Sequence, residues 1–282
     1  MIIISLIDNQ KLPQPEDLQA EHGLSLCIFT NGGQILFDSG VSGAFLANAQ
    51  RLNVDISQVT LAVLSHHHYD HGGGLLSFLD TNSQAKVYLR SSDTEEFYLH
   101  VFGFIKRRIG LDESLFQTYT RRFVFTDEFS EIAPNVYILT RIGQRNPLPR
   151  GNRYLFVHTE QGAQLDDFAH ELILVVRESG SLVVFTGCSH RGILNMLDAV
   201  QEHFPGQPIR AVFGGFHLIG NPLFKTMAGS KKDIEELGGA LLQYPVERFY
   251  TGHCTGARAY PILKEVMGAT LEYFAAGSQV AI

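Results

Sequence analysis

The segment from Leu61 to Leu75, LAVLSHHHYDHGGGL, constrains this chain more than any other. It places four histidines and an aspartate within six residues, after an aliphatic run and before three glycines. Unpartnered imidazole and carboxylate groups cost several kcal/mol to bury, so a fold that hides this segment must supply partners for it. If LAVLSH is a strand running off its end, alternate side chains point the same way. His66 and His68 then reach one ligand together, while His67 and Tyr69 face away. A turn at the glycines lets Asp70 and His71 aim at a second position. Imidazole with carboxylate is a donor set for zinc, manganese or iron, and two ions roughly 3.5–4 Å apart form a hydrolytic arrangement. The bland alternative is a polar surface loop, and the spacing behind an apolar strand argues against it.

The rest of the composition narrows the class. A chain of 282 residues with 45% apolar content can bury a core in one large domain or two modest ones. No window approaches the ~18 uninterrupted apolar residues of a membrane helix. The opening MIIISLIDNQKLPQ has no basic leader region or small-residue cleavage site, so it reads as a first strand of a cytoplasmic protein. Cys27, Cys188 and Cys254 are odd in number and widely spaced, which fits a reducing compartment. A net charge of −7 disfavours nucleic-acid binding as the main task and leaves a small molecule as the expected partner.

Apolar runs and turns give an order of elements. LSLCIFT and GGQILFDSG read as a hairpin about Asn31-Gly32-Gly33. GAFLANAQRLNV has helical spacing, and AKVYLR reads as a strand. Ser91 to about Phe123 reads as irregular helix with a basic patch at Lys106-Arg107-Arg108, a helical insertion or lid over 91–125. VYILT, ELILVVRE and SLVVFTG follow as strands, then a helix from GILNMLDAVQEHF, the strand IRAVFGG, the helix KKDIEELGGALLQY and the strand ERFYTGH. Strands followed by helices in both halves suggest a layered α/β sandwich. The halves echo each other in placing histidines after strands, too weakly to be a repeat. Glycines 72 to 74 are expected to let the backbone leave its strand and begin a helix with its amides toward the site. No nucleotide-binding glycine pattern is present.

SHHHYDH resembles the S/T-H-x-H-x-D-H signature of the metallo-β-lactamase superfamily. EHGLSL, ILFDSG, NAQRLNVDISQVTLAVLSHHHYDHGGGL, TGCSHRGILNM, GGFHL and TGHCTG resemble, in order, the dihydropterin ribofuranosylaminobenzene-5′-phosphate synthase-like branch. The resemblance covers nearly the whole chain and is weakest over 91 to 165. It implies a four-layer αββα sandwich over 1–282 with a two-metal site between its sheets. It also implies that His66 and His68 bind the first ion, and that Asp70, His71 and His253 bind the second. Where many members end a strand in TGD, this chain has Cys188, whose thiolate would favour zinc; the alternative is a small buried residue. His190, two residues past Cys188, is favoured as third ligand of the first ion, with His170 as the alternative and otherwise an outer partner. His217 is a substrate or proton-transfer group or a strand cap. Asp38 is expected to orient a ligand histidine, and Glu21 and His22 to line the pocket. His100, His158 and His203 read as surface residues.

The activity implied is hydrolysis. Two divalent ions, zinc by preference with manganese or iron as alternatives, would bring a bridging water toward a pKa of ~7 and supply hydroxide, and Asp70 would hold that water and move its proton. Arg107, Arg108, Arg150 and Arg153 favour a phosphorylated or carboxylated small substrate. Two other readings stand beside this one. The first is a synthase or transferase joining a pterin precursor to a ribofuranosylaminobenzene phosphate. The second is a redox or metal-binding protein, although di-iron members resemble a pattern with Glu in place of His68 and carry a flavin domain, and this sequence has neither.

Overall fold

The computed structural model describes residues 1–92, 94, 96–221, 223–224 and 226–282, so positions 93 and 95 of the expected insertion lie outside it. The chain forms two compact units, residues 1–95 with 109–127 and 274–282, and residues 96–108 with 128–273.

The first unit is built on a seven-stranded sheet ordered Gln279–Ala281, Ile2–Ile7, Ser25–Thr30, Gly33–Phe37, Val59–Val63, Lys86–Leu89, Phe123–Phe125. The hairpin pairs antiparallel, Leu26 opposite Phe37 and Thr30 opposite Gly33. From Gly33–Phe37 onward the neighbours are parallel. Parallel neighbours need a crossover, and the helices Ala44–Arg51 and Leu75–Thr81 lie in two of these connections. Their buried Phe45, Ala49, Leu75, Phe78 and Leu79 share a core with Leu36, Ala62, Leu64 and Val87.

The second unit carries a seven-stranded sheet ordered Leu271–Tyr273, Val246–Thr251, Ile209–Phe213, Ser181–Thr186, Ile173–Glu178, Val136–Leu139, Ser130–Ala133. Its first four strands are mutually parallel. The helices Ile193–His203, Lys231–Leu241 and Ala259–Met267 make the crossovers. Ile193, Met196, Leu197 and Val200 fall at helical spacing on one buried stripe. Burying each contributes about 1.5–3 kcal/mol. Ser230 and Asp233 close a capping box that fixes where Lys231–Leu241 begins.

Three expectations are corrected. Residues 91–125 are not mainly helical: Phe97–Val101 and Ile105–Arg108 pair as a hairpin, joined by Leu155–Thr159 and Gly162–Leu165 in a four-stranded sheet, and among the described residues there the one α-helix is Ser114–Thr118. The alternating FYLHV carries the strand. Positive φ at Phe102 and Gly103 turns the chain back, and the basic run masks the period. Secondly, the strand before the histidines ends at Val63, and His68 already precedes the short helix Tyr69–Gly72. Alternation along a strand therefore does not orient these rings. Finally, a helix does begin just past the glycines, at Leu75, but Gly73 and Gly74 have ordinary φ of −62° and −79°. They serve close approach: an added Cβ would meet Val41 O at 2.2 Å in Gly73 and Ser39 O at 2.3 Å in Gly74.

Candidate metal centre

Apart from His170, which lies before the antiparallel strand Ile173–Glu178, each candidate donor follows the carboxyl end of a parallel strand in its own sheet, where open α/β sheets place their ligands. In the first unit Asp38 follows Gly33–Phe37, and His66, His68, Asp70 and His71 follow Val59–Val63. Asp38, at φ 57°, is nearly fully buried and accepts the Ser65 backbone N–H at 2.7 Å and the Ser65 hydroxyl at 2.8 Å. Its Oδ2 lies 2.6 Å from His71 Nδ1. Ser65 Oγ lies 2.9 Å from His66 Nδ1. The network is satisfied when both rings carry their proton on Nδ1: His71 donates to Asp38, and His66 donates to Ser65, which donates to Asp38. Each ring then presents Nε2 as a lone pair.

The geometry fits a cation. His66 Nε2 and His68 Nδ1 stand 3.1 Å apart, within the roughly 2.9–3.4 Å that two nitrogen ligands at ~2.0–2.1 Å span in tetrahedral or square geometry. The His66 and His71 rings are 4.1 Å apart between centroids, and Asp70 Oδ2 is 3.9 Å from His71 Nε2. His67 turns away to Arg90 O at 2.7 Å. His22 sits 3.2 Å from Asp70 Oδ2 and half exposed. Glu21 is corrected from a pocket residue to a loop clamp, accepting Val41 N–H, Ser42 N–H and the Ser42 hydroxyl.

In the second unit Cys188 and His190 follow Ser181–Thr186, His217 follows Ile209–Phe213 and His253 follows Val246–Thr251. Cys188, His190 and His217 each offer a donor atom within 4.8 Å of the others. Thiolate with imidazole suits zinc. His190 is stacked on Phe168 at 4.4 Å and held by Asn152, with Nδ1 3.2 Å from Oδ1 and the backbone carbonyl accepting Nδ2–H at 2.8 Å. Its backbone N–H donates to Glu171, as does that of Arg191. His170 is bound to Asp166 at 3.1 Å and packed on Phe97. Ser189, His217 and His253 all have φ between 45° and 59°, a conformation that costs non-glycine residues of order 1 kcal/mol or more and clusters at functional sites. Cys254 does not lie on a strand face: it sits in the turn His253–Thr255, donates to Cys188 O and accepts the His217 N–H, tying the two loops.

Ser65, Asn152 and Glu171 were not singled out from sequence. Ser65 had a signal, its place at the head of the histidine motif; Asn152 and Glu171 had none, because they meet His190 from 38 and 19 residues away. Arg150 is corrected as an anion-binding group, since Asp233 holds its guanidinium through two bonds of 2.9 and 3.1 Å. Arg153 stacks on Tyr154 and Arg108 donates to Glu96; Arg107 lies on the hairpin strand Ile105–Arg108. His100, His158 and His203 are half-buried rather than surface residues. Among the described residues no helix is long and apolar enough to cross a membrane.

The metallo-beta-lactamase superfamily profile matches residues 20–159. The crystal structure of Tm1679, a metal-dependent hydrolase of the β-lactamase superfamily, is 33% identical with a TM-score of 0.83, covering 100% of this chain and 99% of that one. The chain belongs to this metal-dependent superfamily and has its α/β fold of helix-flanked sheets. Within that class, the 7,8-dihydropterin-6-methyl-4-(β-D-ribofuranosyl)-aminobenzene-5′-phosphate synthase of Methanocaldococcus jannaschii is 25% identical over 273 residues, covering 92% of this chain and 89% of that protein. A diphosphatase of the PhnP family, 14% identical with a TM-score of 0.52 over 100% of this chain and 97% of that one, shares the fold.

Proposed function

We propose that this chain is a cytoplasmic, dinuclear metal-dependent hydrolase of a small, phosphorylated metabolite. The ligand set proposed is His66, His68 and His190, preferred to His170, for one ion, and Asp70, His71, His253 and, where many members carry Asp, Cys188 for the other. The observation that carries the reading is the Asp38–Ser65 network, which is satisfied when His66 and His71 carry their protons on Nδ1 and so present Nε2 as a lone pair. Bound zinc, or manganese or iron, supplies Lewis acidity and an acidified water. Asp70 holds the attacking water and takes its proton, and His22 orients the Asp70 carboxylate from the half-exposed side. The anionic substrate class is supported by the likeness to a synthase whose name specifies a 5′-phosphate. Arg107 supports it too, whereas Arg108, like Arg150, is paired with a carboxylate and Arg153 lies on Tyr154. That likeness over most of the chain also favours a second reading, the pterin-linked synthase. The buried cysteines, with no disulfide among the described residues, accord with the cytoplasm.

A substrate panel tests the reading. Slow hydrolysis of bis(p-nitrophenyl) phosphate with little turnover of a chromogenic β-lactam is the expected result; efficient lactam cleavage with inert phosphoesters would overturn it. Formation of an adduct joining a pterin precursor to the amine of a ribofuranosylaminobenzene phosphate would select the synthase.

The thiolate assignment has its own signature. With cobalt bound, a sulfur-to-metal charge-transfer band is expected in the near ultraviolet, because coordination deprotonates a thiol. Cys188→Ser should remove the band. Cys27→Ser should keep it, since burial pushes that thiol up to about 12, and so should Cys254→Ser. A band that survives Cys188→Ser makes this cysteine a packing residue.

A further inference from the structure

We propose that His100 and His158 form a two-imidazole binding site for a divalent late first-row metal ion on the face of the four-stranded sheet. The strands Phe97–Val101 and Leu155–Thr159 are antiparallel neighbours, with Leu155 opposite Leu99 and Phe156 opposite Tyr98. His100, Tyr98, Phe156 and His158 therefore share one face, and the two histidines lie diagonally across the aromatic pair. Each ring is stacked on the aromatic residue beside it, His158 on Tyr98 at 4.1 Å and His100 on Phe156 at 4.4 Å. The two Nε2 atoms lie 3.0 Å apart, within hydrogen-bond distance of each other, a separation that also falls in the roughly 2.9–3.4 Å span set by two ligands at ~2.0–2.1 Å. The rings are half-buried, so little rotamer freedom remains to be lost on binding.

The surrounding charges permit the ion. Glu96, at the His158 end of the face, is held below the usual carboxylate range by the hydrogen bond from Tyr98 and by Arg108, so it is negative at neutral pH. Lys106 stands opposite His100 on an exposed strand, where solvent screens it. Burial, His158 and Lys106 together hold His100 below the ordinary imidazole range, which keeps it in the neutral form a metal requires. Imidazole pairs suit copper, nickel and zinc, with copper bound most tightly and water filling the remaining positions.

Titration of the purified protein, carrying its own metal complement, with zinc in a calorimeter tests the site. One further zinc ion is expected to bind to the wild type and to be lost from both His100→Gln and His158→Gln, with phosphodiester hydrolysis unchanged. Equal uptake by either variant, or none by the wild type, overturns the proposal. Copper bound to the wild type should also show superhyperfine coupling to two imidazole nitrogens, and a spectrum without it overturns the proposal even where a variant fails to fold. The site shares no residue with the ligand set proposed for hydrolysis, so its failure leaves that reading intact.

Discussion

His68→Ala is expected to yield a folded chain that has lost metal and hydrolysis together. The His68 ring is 4% exposed and its Nδ1 stands 3.1 Å from His66 Nε2, so the substitution removes one of two converging donors. The wild type should hold about two ions per chain, and the variant one or fewer, because ligand loss is paid in metal affinity. Hydrolysis should fall by more than the roughly 10–100-fold that loss of an outer partner costs. The control is His203→Ala, whose ring bonds Ala199 O and stacks on Phe129; it should keep full occupancy and rate. Elemental analysis and phosphodiesterase assay of the same preparations read both. A His68→Ala protein with full metal and full turnover would remove this residue from the ligand set. Wild-type protein that is folded yet takes up no transition metal would remove the whole reading.

Legibility in the sequence followed the range of the interactions. Strands and helices with a clear period were readable because the period reports local burial: LAVLS became Val59–Val63 and GILNMLDAVQEHF became Ile193–His203. The hairpin at 97–108 was not, since Lys106-Arg107-Arg108 on an exposed edge hides the alternation that FYLHV shows. The histidine cluster was legible as chemistry, yet its orientation came from elsewhere: a loop beyond the strand end and a carboxylate 33 residues earlier in the chain. The FDSG resemblance did point to Asp38. Nothing local marks Asn152 or Glu171. The pairing of His100 with His158 depends on cross-strand register over 58 residues, which composition does not encode. Arg150 shows the reverse error, a cation near an expected lid whose partner, Asp233, lies 83 residues away.

Asp38→Asn should separate metal affinity from folding. Asp38 uses both carboxylate oxygens: Oδ1 accepts the Ser65 N–H, while Oδ2 accepts the Ser65 hydroxyl and faces His71 Nδ1. All three are donors in the wild type. An introduced amide keeps the volume and tolerates the φ of 57°, because asparagine is enriched in that region. It offers only one acceptor, however. If its oxygen stays on the Ser65 backbone, its NH2 faces His71, which relieves the clash by accepting on Nδ1 and moving its proton to Nε2. The nitrogen needed for a ligand is then occupied. Metal affinity should drop roughly 10–100-fold, while stability of the metal-free protein falls by about 1–3 kcal/mol for the mismatched buried donor. Asp38→Ala should lose comparable metal affinity and more stability. It strands all three donors and puts alanine in a left-handed conformation that costs roughly 1–2 kcal/mol. Urea unfolding in excess chelator measures the stabilities, and competition against a chromophoric chelator measures the affinities. Asp38→Asn protein that binds metal as tightly as the wild type would show that the His71 tautomer is set by some other contact, and the Asp38–Ser65 network would lose its role in presenting the ligands.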